Sequence, residues 1–143
     1  MSLVDKVLIK NIIILPHELD RNLQSNIFER AKESFAGKII GGRLLLNIQT
    51  VSKNGYIKVI DHRCQMNVRV KGLTYIVAKG DIVEIKISHG SSLGSYGRDP
   101  RVYNDAALFY IPDTVLEPGN VLNVSVIACK IESNMFISIC KIV

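Results

Sequence analysis

One phrase occurs twice in this chain and limits the fold more than any other feature. Gly80-Asp81-Ile82-Val83-Glu84-Ile85-Lys86-Ile87 and Gly119-Asn120-Val121-Leu122-Asn123-Val124-Ser125-Val126 each begin with Gly followed by Asp or Asn, a turn signal. Each then runs on through apolar residues with a period-two component. Alternate side chains of a strand point to opposite sides, so each phrase predicts a chain turning into a strand that lines a small core. The second copy continues through Ile127-Ala128-Cys129-Lys130-Ile131, turns at Glu132-Ser133-Asn134 and returns along Met135-Phe136-Ile137-Ser138-Ile139-Cys140-Lys141-Ile142, a terminal hairpin. Two such openings about forty residues apart predict a five-stranded barrel in the last part of the chain.

The 143 residues have room for one ordinary domain or two very small ones. With 48% hydrophobic and 22% charged residues, the chain can bury a core, which excludes a disordered class. No apolar run approaches the ~20 residues that a membrane-spanning helix needs, so no membrane partner is expected. Met1-Ser2-Leu3-Val4-Asp5-Lys6 lacks the signal-peptide pattern. Cys64, Cys129 and Cys140 are odd in number and widely spaced, which favours buried free thiols, although Cys129 and Cys140 fall on facing arms of the terminal hairpin. An intracellular location follows as the expectation.

The net charge of +5 points to an anionic partner, but it is unevenly spread. Residues 1–79 hold 13 Lys and Arg against 6 Asp and Glu, whereas residues 80–143 hold 5 against 7. Neutralising phosphates supplies most non-specific affinity for nucleic acid. A slightly acidic barrel half is therefore expected to grip RNA weakly by itself, and the basic half needs a separate explanation.

Residues 4–15 are rich in β-branched side chains and end at Pro16, a first strand. Leu19, Leu23, Ile27 and Ala31 then recur every four residues, flanked by Phe28 and Phe35, with charged residues between them. This is one amphipathic helix, with Asp20 as the expected N-cap and Gly37 as the stop. Its apolar stripe is expected to pack on a sheet. Gly41-Gly42 leads into a strand over residues 43–51, Lys53-Asn54-Gly55 carries a hairpin signal, and residues 56–60 return. Gln65 to Lys71 alternate cleanly, with Met66, Val68 and Val70 on one side, before Gly72 interrupts. Residues 73–78 then lead into Gly80.

Residues 89–105, rich in Gly and Ser, read as one long loop carrying Tyr96, Arg98, Arg101 and Tyr103. Aromatics interleaved with cations suit base stacking and phosphate contact, so these four are RNA-contact candidates. Residues 107–111 form a short middle strand, in which neighbouring Phe109 and Tyr110 face opposite ways. Phe109 is assigned to the core and Tyr110 joins the RNA candidates. Catalysis finds little support. His17, His62 and His89 lack metal-ligand spacing, so no metal or cofactor is expected. The Gly90 to Gly97 stretch lacks the Gly-Lys-Ser/Thr of a phosphate loop. Nothing in the pattern positions Asp99, Asp105 and Asp113 as a carboxylate site.

The order of these parts resembles the stalk subunit of multisubunit DNA-dependent RNA polymerases, the family of the seventh subunit of eukaryotic polymerase II and the archaeal E subunit. The residues carrying the resemblance are Ile14-Leu15-Pro16-His17-Glu18-Leu19 before the helix and Glu33-Ser34-Phe35-Ala36-Gly37-Lys38-Ile39 after it. Val68-Arg69-Val70-Lys71 and Tyr75-Ile76-Val77-Ala78-Lys79-Gly80-Asp81-Ile82-Val83 are similar to the last strand of the family's tip domain running into its barrel. Ala107-Leu108-Phe109-Tyr110-Ile111-Pro112 resembles that barrel's middle strand, and the Gly119 hairpin its closing pair. Two departures stand out: the closing strand ends the chain early, as in the shortened members of large DNA viruses, and the Gly-aromatic-Val second strand that stacks RNA is not visible.

The resemblance implies an α+β tip domain over residues 1–79, one long helix on an antiparallel sheet, and an all-β, degenerate S1-type OB barrel over residues 80–143. It implies a non-catalytic role: the tip docks at the base of the polymerase clamp, and the barrel projects near the RNA exit path. The implied partners are the large polymerase subunits, a companion stalk subunit and, weakly, nascent RNA. A viral member would work in host cytoplasm or the virion, a cellular eukaryotic one in the nucleus. Lys38, Gly41, Gly42 and Arg43 are the docking candidates, because a glycine turn lets a partner's backbone approach closely. The alternative is a free-standing OB-fold RNA-binding protein acting in translation or RNA handling.

Overall fold

The computed structural model describes residues 3–15, 17, 22–102 and 106–143. The chain divides into two compact units, Met1–Tyr75 and Ile76–Val143, a boundary just ahead of Lys79-Gly80. Most of the described residues lie in strands, with one helix. No helix among them is long and apolar enough to cross a membrane.

The first unit contains β1 (Leu3–Ile14), α1 (Leu23–Phe35), β2 (Ile39–Ile40), β3 (Arg43–Ile60) and β4 (Arg63–Tyr75). They form an antiparallel sheet in the order β1-β4-β3-β2. The alternation in β4 has a direct cause: Cys64, Met66, Val68 and Val70 are buried together with Ile12, Ile14, Leu45 and Val51. Ile27 and Ala31 of α1 close this core, with Leu23, Phe28 and Phe35 packed at its margin. The expected stripe therefore does pack on the sheet, and burying Ile27 alone contributes about 2 kcal/mol. The helix starts after Asn22, which makes no side-chain capping bond. Leu19 and Asp20 lie outside the described residues. At the other end Gly37, with φ +76°, takes the chain out of the helix, as expected, and donates its N–H to the Leu45 carbonyl at 2.8 Å.

Two expectations for this unit are corrected. Lys53-Asn54-Gly55 is not a hairpin turn, because β3 runs through it to Ile60. Residues 54–56 instead stand against Asn67 alone, a bulge, with Asn54 Nδ2 donating to Asn67 Oδ1 at 3.2 Å. The reversal comes at Asp61-His62, whose φ values of 49° and 65° suit a two-residue hairpin turn. Gly72 does not interrupt β4 either; it sits where the neighbouring β3 main chain leaves no room for a side chain. A Cβ there would run into the Asn47 carbonyl oxygen.

The second unit contains β5 (Ile82–Ser91), β6 (Gly94–Arg98), β7 (Ala107–Pro112), β8 (Val121–Glu132) and β9 (Met135–Ile142). They close into a barrel in the order β5-β6-β7-β9-β8, with β7 and β9 parallel and the other pairs antiparallel. Val83, Ile85, Ile87, Phe109, Ile111, Val124, Val126 and Phe136 fill its interior. The recurring phrase now has a physical reason, since β5 and β8 are antiparallel neighbours and each phrase starts one of them. Gly80 N–H donates to the Val126 carbonyl at 2.8 Å, and Val126 N–H to the Asp81 carbonyl at 2.9 Å. Gly119 and Asn120 make the same two bonds with Ile87, each at 2.8 Å. Both glycines sit near φ +90°, so one turn device locks the two ends of a single strand pair.

The expected long loop over residues 89–105 is also corrected. β5 continues to Ser91, turns at Ser92-Leu93 and returns as β6, so the second barrel strand is present. All three thiols are free, Cys64 and Cys140 buried and Cys129 half-buried. Burial, with Cys129 nearby, pushes the Cys140 thiol up to about 11, so it stays protonated at neutral pH. Ser138 is wholly buried on β9, and its hydroxyl has no hydrogen-bond partner among the described residues. Ser138→Ala is expected to stabilise the barrel by about 1 kcal/mol by removing that unmet polar group. Thermal melting followed by circular dichroism would show it, and a lower melting temperature would contradict it.

Candidate nucleic-acid interface

Three barrel strands bring aromatic side chains into one transverse row. His89 of β5 pairs with Tyr96 of β6, and Tyr96 with Tyr110 of β7. Residues directly opposite each other across neighbouring strands share a face. The inward positions beside them are Ser95, Gly97, Phe109 and Ile111, all buried, so the row lies on the outside of the barrel. A bulge at Ser88 sets the register that aligns His89 with Tyr96. Their ring centres are 5.6 Å apart with a 36° tilt. Tyr110 is fixed at the other end: its hydroxyl donates to the Leu93 carbonyl at 2.7 Å, and its ring lies against Gly94. A Cβ on Gly94 would stand 2.8 Å from that ring. Glycine is therefore required for the tyrosine to lie flat across the strand.

One step along the same strands, Lys86 pairs with Arg98, and both are exposed. Residues two apart on a strand share a face, so this cationic pair adjoins the aromatic row. Glu84 follows on β5, and a groove of about 420 Å³ lined by Ile82, Glu84, Asp99, Pro100, Arg101 and Asn123 opens on the barrel. The structure thus gathers Tyr96, Arg98 and Tyr110, and adds His89 and Lys86, which sequence reasoning missed. The missed signal was the alternation Ser95-Tyr96-Gly97-Arg98, small residues inward and large ones outward, concealed in a Gly/Ser-rich stretch.

Arg101 is placed differently. Asp99 is 1% exposed, and Arg101 holds its carboxylate with Nε at 3.0 Å and Nη2 at 2.7 Å. The Arg101 backbone N–H donates to the same carboxylate at 3.0 Å. This clamp shapes the turn after β6 and matches the Arg101 charge locally. It also ties down one member of the Asp99, Asp105 and Asp113 set; Asp105 and Tyr103 lie outside the described residues. Among the described residues no three His, Cys, Asp or Glu side chains are grouped to hold a metal.

In the first unit, Gly41 and Gly42 form the two-residue turn between β2 and β3, with φ values of 58° and 79°. No described atom lies within 4 Å of where their Cβ atoms would be, which leaves room for a partner's close approach. Lys38 is exposed beside it. Arg43 opens β3 and is half-buried, with a buried Nη1 that has no hydrogen-bond partner among the described residues. Chemically, the barrel row can stack bases and the adjoining cations can meet phosphates, while the glycine turn offers a close backbone approach. Set against known protein families and curated proteins, the chain matches no family model and no curated sequence.

Proposed function

We propose that this chain is a non-catalytic stalk subunit of a DNA-directed RNA polymerase, an α+β tip domain followed by an S1-type OB barrel. The observation that carries this reading is the succession of parts. One helix on an antiparallel sheet is followed directly by a five-stranded barrel whose strands run first-second-third-fifth-fourth around its circumference, the third and fifth parallel. Oligonucleotide-binding barrels are five-stranded Greek-key barrels, and this closed five-stranded order supports assigning the second unit to them. The tip presents the Lys38, Gly41, Gly42 and Arg43 corner to acidic surface on the large polymerase subunits, in keeping with the excess of Lys and Arg in residues 1–79. The barrel offers its row of rings to the emerging transcript, and a companion stalk subunit completes the assembly.

Affinity purification of the tagged chain from its source cells tests the reading. The large polymerase subunits are expected to co-purify, and Lys38→Glu is expected to lower their recovery several-fold without changing the melting temperature. Recovery of the chain without them would overturn the assignment.

The aromatic row specifically favours a second reading, the free-standing RNA-binding barrel protein. Binding of single-stranded RNA by the isolated chain at roughly micromolar concentration or tighter, falling steeply with salt, would favour it. Under either reading Tyr96→Ala is expected to weaken RNA binding by the barrel about tenfold in fluorescence anisotropy. Unchanged affinity would remove the row from the interface.

A further inference from the structure

Within the first unit, the sheet has α1 on one face and no described element of that unit on the other. On that open face a groove of about 280 Å³ is lined by Asn11, Asn54, Tyr56, Lys58, Gln65 and Asn67. Asn11 and Asn67 are cross-strand partners on β1 and β4, and Gln65 is the partner of Lys58 across β4 and β3. The β3 bulge brings Asn54 against Asn67 and leaves Tyr56 90% exposed. A tyrosine so open contributes little to any core. The Asn11 and Gln65 amides make no hydrogen bond among the described residues, so their donors and acceptors face the groove's solvent.

Among the described residues the one charged side chain lining the groove is cationic, and further along its face cations outnumber carboxylates. Lys58 lies in it, and strand alternation puts Arg63, Arg69 and Lys71 of β4 on the same face as Gln65 and Asn67. Among the described residues no carboxylate lines the groove. Asp5, further along β1, accepts a hydrogen bond from Gln49 at 3.2 Å, and Asp61 lies in the β3–β4 turn. Charge complementarity therefore favours an anionic occupant. A purely acidic peptide would need donors alone, which cations supply. Four amides, each both donor and acceptor, match instead the mixed edges of a nucleobase.

We propose that this face binds single-stranded nucleic acid, one base stacking on Tyr56 with its edge read by the Asn11, Gln65 and Asn67 amides while Lys58, Arg69 and Lys71 meet phosphates. The site stands at the opposite end of β3 from the Gly41-Gly42 turn, and it holds whether or not the chain docks on a polymerase.

The test uses the full chain carrying Tyr96→Ala, so that binding by the barrel row is suppressed. Labelled eight-nucleotide RNAs of each single base are titrated by anisotropy, with the side-chain amide signals followed by NMR. The Asn11, Gln65 and Asn67 amide signals are expected to shift with RNA, and a further Tyr56→Ala to weaken binding about tenfold. Gln65→Ala is expected to flatten the preference among the four RNAs. Affinity unaffected by Tyr56→Ala, with unshifted amide signals, would overturn the proposal. So would a poly-glutamate peptide that binds in place of RNA and loses affinity with Tyr56→Ala, since the site would then be for an acidic protein. Failure of polymerase co-purification would leave these readouts untouched, so the two proposals fail separately.

Discussion

Gly72→Ala is expected to destabilise the first unit by about 3 kcal/mol, at the upper end of what overpacking costs. Gly72 lies inside β4, the strand bonded on both sides, with Lys6 of β1 and Ile48 of β3 as its partners. Its φ is not in the left-handed region, so space and not torsion decides. A methyl group there meets the Asn47 carbonyl oxygen and comes within 2.7 Å of the Leu45 Cδ1 atom. Leu45 can change rotamer at modest cost. Asn47 is main chain within β3, flanked by register shifts on both sides, and can retreat only by loosening its pairing with β4. For a unit of this size the loss corresponds to a fall of more than about 10 °C in melting temperature, followed by circular dichroism. An unchanged transition would mean that the contact at Gly72 has slack that the structure does not show.

Burial and long-range pairing explain why part of the fold was legible in the sequence and part was not. In β4 the pattern speaks plainly: Met66, Val68 and Val70 alternate with polar residues because the helix covers only their side. The helix was equally legible, since Ile27 and Ala31 must return to that face at every turn. The Gly80 and Gly119 phrases reported strand starts correctly, although their mutual pairing came only with the structure. Turn chemistry misled at Lys53-Asn54-Gly55. There a long-range demand, pairing with all of β4, prevailed over a local hairpin preference and turned the signal into a bulge.

β6 was invisible for the opposite reason. Its inward positions are small because the barrel leaves no room, and a Cβ on Gly97 would meet the Lys86 carbonyl at 2.5 Å. Ser95 instead turns its hydroxyl to the Thr114 carbonyl at 2.7 Å and accepts from Leu116 N–H at 2.9 Å. A strand without large apolar residues reads as a loop. With β6 hidden, Tyr96, Arg98 and Tyr110 could be chosen for their chemistry, but their alignment with His89 and Lys86 depends on register and on the Ser88 bulge. No local pattern carries either.

Arg101→Ala is expected to cost the barrel about 2 kcal/mol and to leave its RNA binding unchanged. Removing one partner of a fully buried ion pair costs about 3–5 kcal/mol, because the remaining charge is left without compensation. Asp99 meets that condition at 1% exposure, but the Arg101 side chain is 48% exposed, so water replaces part of what the guanidinium supplied. Three side-chain hydrogen bonds to the carboxylate are lost nonetheless. Asp99→Asn paired with Arg101→Gln is expected to recover much of the loss, since neither charge then remains buried alone. Thermal melts of the single and double variants, set out as a mutant cycle, measure that coupling. Binding separates the two roles the sequence left open for Arg101. A residue that clamps Asp99 changes the melt and not the affinity, whereas Arg98→Ala, in the cationic row, changes the affinity. Equal losses of RNA affinity for Arg98→Ala and Arg101→Ala at unaltered stability would make Arg101 a phosphate contact after all, and would move the interface toward the groove between Glu84 and Asn123.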